Sequence, residues 1–370
     1  MARIDIEHLH KSFGTFNAVR DSNFTVEDGE FFCLLGPSGC GKTTTLRMIA
    51  GLELPTSGRI MLGGADVTQK RASARDIAFV FQLFALYPHM NVRGNIGYPL
   101  VSTGVKRAEV KTRVEEAARI LRITDLLDRP VGGLSGGDRQ RVALGRAIVR
   151  RPMAFMMDEP LGALDAEFRH VMCGELRGLH DRLKATTVYV THDQIEAMSL
   201  GDKIAVMNQG VIEQLGTPRD IYDRPATMFV ADFIGSPPMN LLRFQGGLEP
   251  GRGSVRMSGV NVAIPRPFEA VGMGELVLGV RPEHVRLDDS AGLRGEVFGV
   301  EYLGTTQVIS VATGNGIVKA RIASSQKVAL GELVGLTFRT ERLSLFEAAS
   351  GQAIRTALHE RQAVEEVAHG

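Results

Sequence analysis

The run Gly36-Pro37-Ser38-Gly39-Cys40-Gly41-Lys42-Thr43 has the spacing G-x-x-x-x-G-K-[ST], which suits phosphate chemistry. Its glycines let backbone N–H groups turn inward around phosphate oxygens, and Lys42 adds a full positive charge for the β- and γ-phosphates. The Thr43 hydroxyl is a hard oxygen of the kind Mg2+ prefers. A helical stretch follows, Thr44-Thr45-Leu46-Arg47-Met48-Ile49-Ala50, and aims its positive dipole end, with Thr44 in its first turn, at the same anion. Cys40 admits two readings, a reactive thiol or a small residue tolerated beside the turn. A nucleoside triphosphate with Mg2+ is the ligand pair this chemistry calls for.

A second set of candidates sits at the ends of apolar runs. Ala154-Phe155-Met156-Met157 leads into Asp158-Glu159. Asp158 can hold Mg2+ through a water, and Glu159 can orient and deprotonate an attacking water as general base. Alone, an acidic pair after a strand reads as a polar loop or a helix cap; beside a phosphate cradle the hydrolytic reading prevails. His192 follows Thr187-Val188-Tyr189-Val190-Thr191 and could hydrogen-bond a γ-phosphate, although a lone histidine is equally a structural residue. Gln82 ends Ile77–Phe81 and is either a surface amide or a ligand of Mg2+ and water. Spacing alone does not choose.

These groups must be positioned by buried strands. Phe31 to Leu35, Ile77 to Phe81, Ala154 to Met157 and Thr187 to Val190 are the candidates, alternating with amphipathic helical stretches as in an α/β domain with a mostly parallel sheet. Each ends in polar or glycine-rich residues, where ligands of open α/β sheets bind. Val110, Val114, Ala117, Ala118 and Leu121 recur at helical spacing within 105–129, which predicts an inserted helical subdomain. Asn208-Gln209-Gly210 reads as a hairpin turn between Lys203–Met207 and Val211–Leu215. Near Gly235-Ser236-Pro237-Pro238 the pattern changes. Glycine-punctuated strands follow at Leu276–Val280, Gly295–Val300, Gln307–Val311 and Gly316–Ile322, predicting a small β-barrel, and residues 357–370 read as a charged, frayed or disordered tail.

Composition sets the outer limits. With 370 residues, 44% of them hydrophobic, the chain can bury two or three domain cores. Forty-three basic against forty-two acidic residues leave a formal charge of +1, so no global field recommends nucleic acid or an anionic membrane as partner. The cysteines, Cys33, Cys40 and Cys173, form no Cys-x-x-Cys pair, which suits a reducing compartment. MARIDIEHLH lacks the apolar stretch of a secretory leader, and no apolar run approaches the ~20 residues needed to span a bilayer. The expectation is a cytoplasmic protein that reaches a membrane only through a partner.

Leu134-Ser135-Gly136-Gly137 is the most specific remaining motif. It opens a helix over Arg139–Arg150, with Ser135 as N-cap and the helix end as a second anion site. With these residues assembled, the chain resembles the ATPase subunits of ATP-binding cassette (ABC) transporters over nearly its whole length. The resemblance implies an α/β P-loop NTPase (RecA-like) domain over 1–235, with a helical subdomain over about 88–150, and an all-β OB-like regulatory domain with charged tail over 236–370. It implies that Ser135, Gly136, Gly137 and Asp138 face ATP held by the opposite subunit. It assigns Gln82 to the loop that senses Mg2+ and contacts membrane subunits, His192 to the γ-phosphate switch, and Leu164-Asp165 to the dimer-crossing loop. Phe13 falls where the family stacks adenine; the alternative is an ordinary core residue. One departure stands out, because the family signature continues with glutamine where this chain has Asp138. A helix N-terminus favours an aspartate by ~0.3–1 kcal/mol. A triphosphate ~8 Å away would be repelled by about 2 kcal/mol per unit charge at an effective dielectric near 20. Weaker nucleotide-driven dimerisation is expected unless Arg139 or Arg141 screens that charge.

Within the superfamily, Val80–His89, the join Phe233-Ile234-Gly235-Ser236-Pro237-Pro238-Met239-Asn240 and Gly279-Val280-Arg281-Pro282-Glu283-His284 look like the maltose and glycerol-phosphate importer ATPases. That likeness implies uptake of a carbohydrate-type solute, with polyamine and ferric iron as the alternatives. The implied partners are a second ATPase subunit, in a homodimer or a heterodimer, two transmembrane permease subunits and an extracytoplasmic solute-binding protein, at the cytoplasmic face of the inner membrane. Two rival classes are a soluble nucleotide-switch protein without permease and a catalytically weak partner in a two-gene ATPase pair. An OB-like fold does not imply nucleic acid here, since the segment has no basic stripe or interleaved aromatics.

Overall fold

The computed structural model describes residues 2–81, 85–162, 164 and 166–359. Two compact units divide the chain, Met1–Pro218 and Arg219–Gly370.

The first unit begins with an antiparallel sheet, order β2-β1-β4-β5, made of β1 (Ile4–Phe13), β2 (Phe16–Val26), β4 (Ser57–Leu62) and β5 (Ala65–Asp66). Its strands escape a periodicity reading because β1 pairs with β2 through several register shifts, which break the strict alternation of faces. The second sheet carries the site. It contains β3 (Phe31–Leu35), β6 (Ile77–Val80), β7 (Ala154–Asp158), β8 (Thr187–Thr191), β9 (Lys203–Asn208) and β10 (Val211–Gly216), in the order β10-β9-β3-β8-β7-β6. All neighbours are parallel except β9 and β10. Every residue of β3, β7 and β8 is buried, as central parallel strands covered on both faces require. The β9–β10 turn puts Gln209 and Gly210 at φ of 46° and 83°, the left-handed pair that a tight hairpin needs.

The α-helices among the described residues of this unit are α1 (Lys42–Ala50), α2 (Val92–Ser102), α3 (Arg107–Ile120), α4 (Gly136–Ile148), α5 (Ala166–Leu183) and α6 (Gln194–Leu200). α2, α3 and α4 occupy the stretch where an inserted helical subdomain is expected. α4 starts at Gly136, earlier than the expected Arg139, because the Ser135 side chain caps it by accepting from the Asp138 amide.

α7 (Pro218–Asp223), all but its first residue in the second unit, and α8 (Met228–Phe233) precede the strands of that unit. β11 (Asn240–Leu248), β14 (Val271–Val280) and β20 (Ser344–Glu347) form one sheet, and β12 (Ser254–Met257) pairs with β13 (Val260–Ala263). β15 (Val285–Leu287), β16 (Arg294–Tyr302), β17 (Thr306–Thr313), β18 (Gly316–Ala323) and β19 (Leu333–Phe338) form the third, ordered β15-β19-β16-β17-β18. All three sheets contribute to one apolar core, the all-β architecture that the glycine-punctuated strands predicted and that the resemblance implied to be OB-like. Residues 219–235, read above with the first domain, lie in this unit. The Arg281 side chain, 2% exposed, stacks on the Tyr222 ring and donates to the carbonyls of Tyr222, Ala231 and Ile234. Asn240, at the end of the Ser-Pro-Pro-Met-Asn join, binds Val280 O and both backbone groups of Lys319, fixing β14 beside β18. Of the expected tail, 360–370 lies outside the described residues.

Candidate functional site

β3 delivers the chain into the glycine loop, and α1 leaves it at Lys42. Neither Gly36 nor Gly41 has room for a side chain: an added Cβ would stand 2.2 Å from Met207 O at the first and 2.3 Å from Ala18 O at the second. Gly39 and Gly41 hold φ of 78° and 107°, which glycine adopts without strain. Gly41 caps α1 without a side-chain bond, so the first-turn N–H groups of Lys42, Thr43 and Thr44 are presented to an anion by the loop that contains Pro37 and the exposed Ser38. The Lys42 ammonium is 4% exposed and donates to Gly36 O and Pro37 O, each at 2.8 Å. Carbonyl dipoles hold that cation in place without neutralising it.

β7 brings Asp158 alongside, where the Thr43 hydroxyl donates to Asp158 Oδ1 at 2.9 Å. Burial pushes the Asp158 carboxyl up, while the Thr43 hydrogen bond and the positive charges of Arg47 and Lys42 act the other way. Two hard oxygens therefore stand side by side. Among the described residues no group of three His, Cys, Asp or Glu side chains forms a cage for a metal. The pair fits Mg2+, which is usually held by one or two protein oxygens, with phosphates and water supplying the rest.

Glu159 follows at φ 43°, a left-handed backbone that costs a non-glycine residue about 1–3 kcal/mol and is tolerated where the surroundings enforce it. Its N–H donates to Val190 O at 3.0 Å, tying the end of β7 to β8. That turn sets Glu159 Oε1 3.2 Å from His192 Nδ1, just past the end of β8. Thus the loop, Asp158, Glu159 and His192 meet at the carboxyl ends of adjacent parallel strands, as the sequence predicts. Gln82 and Asp165 lie outside the described residues. From Ala85 onward the chain is held by Arg146, whose guanidinium donates to Ala85 O at 2.6 Å, and by the buried Asn95 amide, which accepts from Tyr87 N at 2.7 Å.

The Ser-Gly-Gly turn does not join this cluster. The Ser135 hydroxyl donates to Asp138 Oδ2 at 2.7 Å, and Asp138 Oδ1 is 3.7 Å from Arg141. Leu164 is buried, and a Cβ placed on Gly136 would be 3.2 Å from its Cδ2, so Leu164 lies against the start of α4. Phe13 is 49% exposed with the Lys11 ammonium 4.7 Å from its ring centre, which removes the core-residue alternative. Cys40 is buried, and that burial raises its thiol pKa against the pull of Lys42, so the small-residue reading of Cys40 holds. Arg75 escaped the sequence reading. It is 1% exposed and donates to the carbonyls of Met48, Ile49, Thr68 and Lys70, gripping the far end of α1. An arginine before an apolar strand looks like any surface cation, so no sequence signal marks it.

Comparison with known proteins follows the same division. The family model for "ABC transporter" matches residues 19–162, and that for "TOBE domain" matches 278–346. The trehalose import ATP-binding protein SugC of Mycobacterium tuberculosis is 46% identical, covering 95% of this chain and 98% of its own length. The trehalose/maltose import ATP-binding protein MalK of Thermococcus litoralis is 45% identical, covering 96% and 100%. An sn-glycerol-3-phosphate import ATP-binding protein, UgpC 3 of Rhizobium etli, is 52% identical over 79% of this chain and 80% of its own. Among solved structures, cbiO1 from Clostridium perfringens superposes with a TM-score of 0.56 at 26% identity, covering 59% of this chain and 89% of that one. A dimeric cassette in a post-hydrolysis state with ADP and Pi gives 0.52 at 29%, covering 58% and 99%. The full-length identity to these importer ATPases, together with the two matched domains, makes this chain a member of the ABC transporter ATP-binding subunits, an ATPase with a P-loop domain and a terminal TOBE domain.

Proposed function

We propose that the chain hydrolyses MgATP in composite sites formed with a second ATPase subunit and so powers uptake of a carbohydrate-type solute, a sugar, polyol or glycerol phosphate. The observation that carries the chemistry is the meeting of Thr43, Asp158, Glu159 and His192 beside the glycine loop. In this reading the loop amides and Lys42 bind the phosphates, and Phe13 stacks on adenine. Thr43 and Asp158 hold Mg2+, which would offset phosphate charge. Glu159 takes a proton from the attacking water, and His192, oriented by Glu159, donates to the γ-phosphate. Ser135, Gly136 and Gly137 of the mate close the site from the other side, with the Leu164-Asp165 loop crossing the interface.

Trehalose, maltose and sn-glycerol-3-phosphate in the names of the relatives support the carbohydrate reading over polyamine or ferric iron. Among the described residues no helix is long and apolar enough to cross a membrane, so translocation in this reading belongs to two permease subunits, fed by a solute-binding protein outside. The chain would then act at the cytoplasmic face of the inner membrane. Glu159→Gln tests the chemistry: ATP binding should persist while turnover falls about 10²–10⁴-fold, the usual worth of a positioned base. Undiminished turnover in that variant would remove Glu159 from the role.

A further inference from the structure

Arg169 lies in the first turn of α5 and takes part in none of the chemistry above. Its guanidinium nevertheless joins two segments that the proposed mechanism treats separately. Nη2 donates to Leu164 O at 2.9 Å, in the loop expected to cross the dimer interface. Nη1 donates to Asp193 Oδ2 at 3.0 Å, and Asp193 directly follows His192. Nε stands 3.6 Å from Glu196 Oε1, beyond hydrogen-bond reach but close enough for charge attraction.

Both ends of this bridge are themselves fixed. Asp193 Oδ1 accepts from the N–H groups of Ile195 and Glu196 and so caps α6, while its own N–H donates to Thr191 Oγ1 at 2.9 Å. Glu196 is buried and accepts from the hydroxyls of Tyr189 and Thr191. The backbone around His192 thus has one rigid wall on the β8–α6 side. At the other end the buried Leu164 side chain rests on Gly136, the first residue of the Ser-Gly-Gly helix. A continuous path of packing and hydrogen bonds runs from the start of α4 through Leu164, Arg169 and Asp193 to His192, and from there to Glu159 3.2 Å away. Such a path carries coupling only if both ends are biased through the same element.

We infer that Arg169 is a positioning residue that locks His192, and through it Glu159, to Leu164, so that hydrolysis geometry in one site follows the placement of the Ser-Gly-Gly helix serving the other. A planar guanidinium can serve a carbonyl and a carboxylate at once in a fixed geometry; a lysine ammonium on a flexible stem cannot hold both in that fork. The inference rests on the roles proposed for Glu159 and His192.

The test uses the full chain with MgATP. Arg169→Lys keeps the charge, and Asp193→Asn keeps the α6 cap while breaking the ion pair. Each should lower kcat at least about tenfold, as small misplacements of reacting groups do, while KM and the binding of a fluorescent ATP analogue move less than about twofold. The double variant should lose little more than either single one, since both remove one interaction. A purely structural Arg169 would instead lower thermal stability and nucleotide binding together, and multiplicative losses in the double variant would place the two residues in separate roles; either result overturns the inference. Glu159→Gln run in parallel separates the failures. If it abolishes turnover while Arg169→Lys leaves kcat unchanged, only the positioning role falls; if it leaves turnover intact, the reading of the site falls with it.

Discussion

Asp138 offers the sharpest quantitative test, because it stands where ATP of the opposite subunit is expected. Two features decide how far its charge reaches. Arg141 is 3.7 Å away, but the same guanidinium is held by Glu175 at 2.8 and 3.1 Å, so two carboxylates share one cation. Arg139 turns the other way, toward the carbonyls of Leu134 and Gly132. Screening is therefore partial. For a phosphate charge about 8 Å from Asp138, an effective dielectric near 20 gives about 2 kcal/mol of repulsion; with a fully available guanidinium at about 12 Å it drops to about 0.7 kcal/mol. The expected penalty lies between, or roughly 3- to 30-fold in the ATP concentration that drives dimerisation. The Ser135 hydroxyl adds to it, since its hydrogen bond to Asp138 must be given up before it can serve a phosphate. The assay is an ATP titration of dimer mass by light scattering, comparing Glu159→Gln with and without Asp138→Gln, the first substitution slowing hydrolysis. The glutamine variant should dimerise at lower ATP. Coincident titrations would refute the electrostatic argument.

Three further outcomes follow from buried groups. Asp158→Asn should stabilise the protein without nucleotide while removing Mg2+-dependent turnover. Burial raises the Asp158 pKa above its unfolded value, so its charge costs stability at neutral pH and that cost fades as pH falls through the raised pKa. Melting curves of the two proteins should accordingly diverge on raising pH through and above the carboxylate range. Cys40, 3% exposed, should react with a thiol reagent at pH 7.5 far more slowly in the native protein than after unfolding in guanidinium; equal rates would show an open thiol. Arg281→Met should destabilise the second unit by about 3–5 kcal/mol, because carbonyls of Tyr222, Ala231 and Ile234 lose their buried donor. Calorimetry of the full chain should show the corresponding transition moved down, and an unmoved transition would mean the helices are held some other way.

What could be read from the residues divides along a physical line. Local signals were legible. The glycine loop, the Asp158-Glu159 pair, the Ser135 cap and the Gln209-Gly210 turn each need particular residue types at adjacent positions, so spacing alone exposes them. The buried strands were legible because β3, β7 and β8 have apolar or β-branched cores; β3 has the expected bounds, and β7 and β8 each run one residue further, to Asp158 and Thr191. Illegible were the features made by distant segments. β1 hides behind its irregular register, and α7 and α8 join the second unit through Arg281, far along the chain. Arg75, Arg169 and Asn95 act through backbone carbonyls or loop segments contributed by other elements. Charged and amide side chains carry no mark of burial in one sequence, since the partners that make burial tolerable are known only once the chain is folded.

The account stands or falls on one triphosphate being held between the glycine loop of one subunit and the Ser-Gly-Gly helix of another. Dimer mass in the Glu159→Gln background, with and without MgATP, addresses this directly when a second change is placed on either surface. Lys42→Ala should abolish nucleotide binding and the ATP-dependent gain in dimer together, whereas Ser135→Arg should leave nucleotide bound and abolish the gain. An unchanged ATP-dependent dimer in the Ser135→Arg protein would contradict the composite site.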